Sequence, residues 1–136
     1  MIKAVIFDRT GVLLNDYGQR NEPLLEWIRN LHRTYKTAIL SNASSDGIRR
    51  YFSEAELASD FDATITSGEI GSMKPEPEIF LRACEKLGVE PAECVFVDDN
   101  QGHCEAARDI GMQAVWYQNL DQAKKEIEQL LNNPER

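Results

Sequence analysis

The sequence predicts an α/β fold in which a parallel sheet is covered by helices. Strand-like and helix-like segments alternate along its 136 residues, the pattern that parallel sheets require. The strand-like runs are short and apolar throughout, as buried strands are. Asp8, Ser41 and the pair Asp98–Asp99 each come directly after such a run. Parallel strands would bring all four to the carboxyl edge of the sheet, where open α/β sheets bind ligands.

The elements follow in order. Ala4–Phe7 is a buried strand ending at Asp8. Pro23 opens a helix, a position where its missing N–H costs nothing, and Leu24, Leu25, Trp27, Ile28 and Leu31 form the inner side. Lys36–Leu40 is a strand ending at Ser41, Asp46–Phe52 a helix and Ala63–Thr66 a shorter strand. Glu76–Leu87 is a helix closed by Gly88. Cys94–Val97 is the fourth strand, and a helix from about Gln101 to Ile110 stops at Gly111. Ala114–Trp116 is the fifth strand, and Asp121–Leu131 is a last helix with Ala123, Ile127, Leu130 and Leu131 inward. The tail from Asn132 to Arg136 is expected to fray. Trp27, Trp116 and the aromatics near Tyr51–Phe52 are read as core.

The length suits one domain spanning residues 1–136. A net charge of −8 argues against a general nucleic-acid binder, which needs a basic face. No apolar run approaches the roughly 20 residues that span a bilayer, so no membrane association is expected. The start MIKAVIFD lacks the features of a signal peptide, so a cytoplasmic location is expected. Cys84, Cys94 and Cys104 form no closely spaced pair and are read as buried, reduced thiols.

The chemistry starts from Asp98–Asp99. Adjacent carboxylates repel unless a cation sits between them, and hard oxygen ligands suit magnesium. A solvated helix cap is the alternative, but Asp8 brings a third carboxylate to the same edge. Asp8 can serve as ligand and as nucleophile, one oxygen for each role. Gly11 allows a sharp turn that presents the amides of Arg9 and Thr10 to an anion. Ser41 and Asn42 stand where a strand gives way to a helix and can offer a hydroxyl and free N–H groups. Lys74, held extended by Pro75, can neutralise phosphoryl oxygens. Arg9 is read either as a substrate contact or as a salt-bridge partner, and Met73 either as packing or as facing substrate. His103 is read as a surface histidine rather than a wall of the site, and His32 as a helix-terminal residue complementing the dipole.

The order FDRTGV, LSNAS, GSMKPEPEIF, VFVDDN resembles the four motifs of the haloacid dehalogenase superfamily. SGEIGSMKPEPEIF and FVDDNQGHCEAARDIGM look most like the branch containing sugar phosphatases and the phosphatase domain of soluble epoxide hydrolase. The resemblance implies a three-layer, Rossmann-like sheet of order 3-2-1-4-5. It implies that Asp8 accepts a phosphoryl group that Ser41 and Lys74 bind; the residue reading adds Arg9 and Asn42 as phosphate-binding candidates. It implies magnesium held by Asp8, the carbonyl of Thr10, and Asp99 with help from Asp98.

Two departures mark this chain. Phosphatases of the superfamily usually carry a second aspartate, the general acid and base, where Thr10 stands. A threonine hydroxyl cannot protonate a leaving group near neutral pH, and such assistance is worth about 10²–10⁴ in rate. Asp8-Arg9-Thr10-Gly11 instead resembles the DKTG run of P-type transport ATPases, in which the aspartyl phosphate persists. The second departure is the missing cap domain: only a short flap, one helix and a strand separate Asp8 from Ser41. Open sites of this superfamily act on large substrates or borrow a lid from a neighbouring subunit. A phosphorylated substrate, small or macromolecular, and a second copy of the chain are therefore the expected partners. The expected activity is that of a magnesium-dependent phosphatase, with a phosphate-binding regulatory module as the alternative. Carbon–halogen hydrolysis fits less well, because it needs no metal and an enclosed apolar pocket.

Overall fold

A computed structural model describes residues 1–132; the rest of the tail expected to fray lies outside the described residues. Five strands, β1 (Ala4–Phe7), β2 (Lys36–Ser41), β3 (Ala63–Thr66), β4 (Cys94–Asp98) and β5 (Gln113–Trp116), form one sheet. Every pairing is parallel and the order is β3-β2-β1-β4-β5, the order implied by the family resemblance. Because β1 lies centrally between β2 and β4, Asp8 emerges between the ends of the two strands that carry Ser41 and Asp98.

Alternation along the strands divides the core into two layers. Val5, Phe7, Ile39, Val95 and Val97 pack on one face with α1 (Glu22–Leu31) and α7 (Leu120–Leu131). Ala4, Ile6, Ala38, Leu40 and Phe96 pack on the other with α5 (Pro77–Leu87) and α6 (Gln101–Asp109). Phe80 meets Phe96 edge-on at 5.2 Å between centroids, a favoured aromatic geometry. The three cysteines are free and buried, as expected. Among the described residues, no helix is long and apolar enough to cross a membrane.

The connections hold most of the surprises. The helix expected over Asp46–Phe52 is the shorter α2 (Ser45–Arg49), followed by α3 (Glu54–Asp60). Ser53 and Glu56 cap α3 reciprocally, a signal present in the sequence. One turn of helix, α4 (Ser67–Ile70), follows β3, and a 3₁₀ turn over Pro91–Glu93 precedes β4. Trp116 is a correction: it is 38 % exposed, with its indole N–H donating to the Asp99 carbonyl at 2.9 Å. It sits on the last residue of the edge strand, where the core has ended. Phe52 is core as expected, while Trp27 and Tyr51 are half-buried against it.

Candidate active site

Residues 9–21 form the flap that links β1 to α1. Arg9 turns the chain, its carbonyl accepting the amides of Leu13 and Leu14 at 2.8 and 2.9 Å. Gly11 has φ +92°, and a Cβ there would overlap the Asp99 carboxylate; only glycine combines that backbone with that approach. The flap is fastened outside the site by Arg20, whose two terminal nitrogens meet the Glu56 carboxylate at 2.8 and 2.6 Å. Arg20 raises its partner's acidity in return: Glu56 falls to about 2, chiefly through the hydrogen bond from Arg20. A cleft of about 440 Å³ opens beside Gly11 and Asp99 under the flap.

At the edge of the sheet, Lys74 Nζ reaches three oxygens: Asp8 Oδ1 at 2.6 Å, Asp98 Oδ2 at 3.1 Å and the Leu40 carbonyl at 3.2 Å. Lys74 is 3 % exposed and Asp98 0 %. An ammonium that deep persists only because paired acceptors surround it. Its segment is a turn rather than the extended stretch expected from Pro75: the Glu76 amide donates to the Met73 carbonyl at 2.8 Å, across a cis Lys74–Pro75 bond. The Asn42 carboxamide grips this turn, accepting from the Lys74 amide at 2.8 Å and donating to the Lys74 carbonyl at 3.1 Å.

Ser41 is buried and its Oγ accepts the Ala43 amide at 3.1 Å. Oxygen atoms of Asp8, Asp98 and Asp99 all lie within 4.8 Å of one another. Burial pushes the Asp8 carboxyl up to about 7, against the pull of the Lys74 ammonium and with a further push from Asp98. Burial would also raise Asp98, but Lys74 and the Asn100 amide together hold it below the usual carboxylate range. Asp99 is raised by burial and by Asp98 beside it. Three carboxylates thus face one ammonium, and the uncompensated charge sits on hard oxygens, a donor set that fits a divalent cation.

Of the expected residues, Asp8, Lys74, Asp98 and Asp99 converge. Thr10 is exposed on the flap next to Gly11. Arg9 donates through one terminal nitrogen to the Gly47 carbonyl at 3.0 Å and lies over the Tyr51 ring, while its Nε is buried without a partner among the described residues. Asn42 likewise gives its side chain to the Lys74 turn. Met73 is half exposed beside Lys74. His32 ends α1, with Nδ1 3.0 Å from Thr37 Oγ1. His103 is not a free surface residue: its Nδ1 lies 3.0 Å from Asp98 Oδ2. The spacing from Asp98 to His103, across the first turn of α6, was the available signal.

A parallel sheet thus presents a buried aspartate–lysine pair and flanking carboxylates at its carboxyl edge, and sequence similarity places that α/β domain among the hydrolases. The family described as "haloacid dehalogenase-like hydrolase" matches residues 21–111, and the chain belongs to it. The chain is 34% identical over 124 residues to bifunctional epoxide hydrolase 2 of Sus scrofa, covering 84% of this chain and 22% of that protein. It is 40% identical over 80 residues to a phosphoserine phosphatase of Thermus thermophilus, covering 58% of this chain and 32% of that protein. The chain therefore spans about a fifth and a third of these relatives' lengths. Among solved structures, a haloacid dehalogenase family enzyme of Bacteroides thetaiotaomicron, in complex with magnesium and inorganic phosphate, shares the fold. It aligns with TM-score 0.76 and 19% identity over 87% of this chain and 95% of that one.

Proposed function

We propose that residues 1–136 act as one cytoplasmic phosphatase unit, hydrolysing phosphate monoesters through an aspartyl phosphate on Asp8 with magnesium. The observation that carries this is the Lys74 ammonium 2.6 Å from buried Asp8 Oδ1, with Asp98 and Asp99 alongside. The match to a phosphoserine phosphatase agrees with it.

Asp8 and Asp99, with the Thr10 carbonyl and support from Asp98, would hold the cation. Magnesium bound there supplies neutralisation of phosphoryl charge. Asp8 attacks phosphorus, forming the Oδ–P bond as the bond from phosphorus to the leaving oxygen breaks. Lys74 and the Ser41 hydroxyl offset charge on the phosphoryl oxygens. The leaving oxygen takes its proton from water, since Thr10 offers no acid. Water then attacks phosphorus, and Asp8 leaves as a carboxylate with phosphate released.

A second reading has one specific observation in its favour: Thr10, exposed at the position of the usual acid and base. On that reading Asp8 is phosphorylated but barely turned over, and the domain acts as a phosphate-dependent regulatory module. The test is phosphate release from an aryl phosphate with magnesium by the parent, Asp8→Asn and Thr10→Asp. The phosphatase reading expects turnover by the parent, none by Asp8→Asn, and a gain of about 10²–10⁴ in Thr10→Asp. Turnover confined to Thr10→Asp would instead favour the module.

A further inference from the structure

Asp98 has no exposed surface, and both of its oxygens carry donors. Oδ1 accepts the Asn100 amide at 2.9 Å; Oδ2 accepts the Lys74 ammonium at 3.1 Å and faces His103 Nδ1 at 3.0 Å. An oxygen already accepting from an ammonium can only accept from the ring as well. Nδ1 therefore carries the proton, whether the ring is neutral or charged.

The local sequence places that ring. Asn100 caps α6 by accepting the His103 amide on its side-chain oxygen at 3.1 Å. Helical side chains lean toward the helix N-terminus, so the third helical residue overhangs the end of β4. Its side chain is only 19 % exposed.

Lys74 has three N–H donors and three acceptors: Asp8, Leu40 and Asp98. When Asp8 takes up a phosphoryl group, the ammonium must turn its Asp8 contact toward the new oxygens. Leu40 and Asp98 are the tethers that hold it through this exchange. The Leu40 carbonyl is fixed within β2, whereas Asp98 Oδ2 is fixed by a side chain, His103.

We propose that His103 is a positioning residue: it locks the Asp98 carboxylate so that Oδ2 keeps Lys74 aimed at the phosphoryl oxygens, leaving Asp8 and Asp99 to face the cation. The proposal rests on the phosphatase reading above. In it Asp98 supports the metal site indirectly, by holding the lysine. His103 acts through Asp98 and touches neither the nucleophile nor the lysine in the hydrogen-bond network.

Isothermal titration of the full chain tests it, first with magnesium alone, then with inorganic phosphate at saturating magnesium. The proteins are the parent, His103→Ala and His103→Asn. Asparagine Nδ2 lies as many bonds from Cα as histidine Nδ1 does, so His103→Asn keeps the donor and loses the ring. His103→Ala should weaken phosphate binding roughly tenfold while magnesium binding stays within about twofold, and His103→Asn should restore phosphate binding to within about twofold. A merely structural role would lower Tm and both affinities together, without rescue by asparagine. Phosphate affinity unchanged in His103→Ala, or equally lost in both variants, overturns the proposal. Nitrogen NMR of the parent ring supplies a check independent of any variant's folding: a neutral ring protonated at Nε2 instead of Nδ1 also overturns it. A parent chain that binds magnesium but no phosphate overturns the phosphatase reading and this proposal with it.

Discussion

Replacing Lys74 by methionine removes the ammonium while keeping a stem that packs over Phe96, whose ring lies 5.6 Å from Nζ. What remains is an uncompensated carboxylate at Asp8, 8 % exposed, and one fewer donor on Asp98. Breaking a buried pair from one side costs about 3–5 kcal/mol, against a total stability of about 5–15 kcal/mol for a domain. For a chain of this size that corresponds to a fall in Tm of about 10–20 °C.

The loss must depend on pH, and its sign follows from Asp8. The carboxyl stands near 7 in the metal-free protein, above its ordinary 3.8. Between those values the folded state binds the extra proton, so stability falls as pH rises through the window. Lys74 is the largest influence pulling Asp8 down, so Lys74→Met carries Asp8 higher and stretches the window upward. At pH 5 Asp8 is protonated in both proteins and the variant loses least; at pH 8 the parent's Asp8 is ionised and paired, and the variant loses more. Urea unfolding with chelator at both pH values measures this, together with Asp8→Asn/Lys74→Met, which should recover part of the loss. A variant within about 1 kcal/mol of the parent at pH 8, or equally destabilised at both values, refutes the reasoning.

Three other outcomes follow. Gly11→Ala, strained at φ +92° and pressed into Asp99, should abolish magnesium binding by calorimetry while the far-ultraviolet dichroism of the sheet survives. Glu56→Gln should cost about 1 kcal/mol at pH 7 by releasing the Arg20 tether of the flap. Because the folded acid is depressed to about 2, that contribution is present above the ordinary value and lost progressively on acidification, so parent and variant Tm should draw together as pH falls from 4.5 and converge only at about 2. Asn42→Ala frees the turn carrying Lys74 and should lower turnover of an aryl phosphate by at least about tenfold, with magnesium affinity unchanged.

The sheet was legible because buried parallel strands leave continuous apolar runs and because Gly88, at φ +69°, marks a helix end without ambiguity. The edge residues were legible for a related reason: nothing apolar explains Asp8, Ser41 or Asp98 directly after such runs. Of the short helices, α2 is legible though shorter than expected, whereas α3 and α4 are not. α3 buries no side chain fully, so it leaves no periodic stripe and declares itself only through Ser53 and Glu56. Lys74 was placed correctly in sequence and wrongly in conformation, because Pro75 restricts its neighbour without specifying the turn that Asn42 and Glu76 build around it.

The harder matter is the difference between residues of one type. Asp98 and Asp99 are adjacent, yet a strand points successive side chains to opposite sides. Asp98 turns into the protein toward Lys74 and His103, whereas Asp99 lies against Gly11 at the cleft. Sequence makes them a pair of equivalent acids; the fold makes one a holder of a cationic side chain and leaves the other free for a cation from solution. Arg9 and Asn42 divide from Lys74 in the same way. All three carry groups that bind phosphate well, but the Asn42 carboxamide is given to the Lys74 turn and one Arg9 nitrogen to the Gly47 carbonyl, with Arg9 Nε buried and unpartnered among the described residues. Lys74 has all three of its donors occupied as well, but two of its acceptors are carboxylates of the site itself, so its contacts can be exchanged there. For a site at the end of a sheet, the polar residue types mark where chemistry can occur, and the partner each side chain holds separates residues of one type, as Lys74 and His103 separate Asp98 from Asp99.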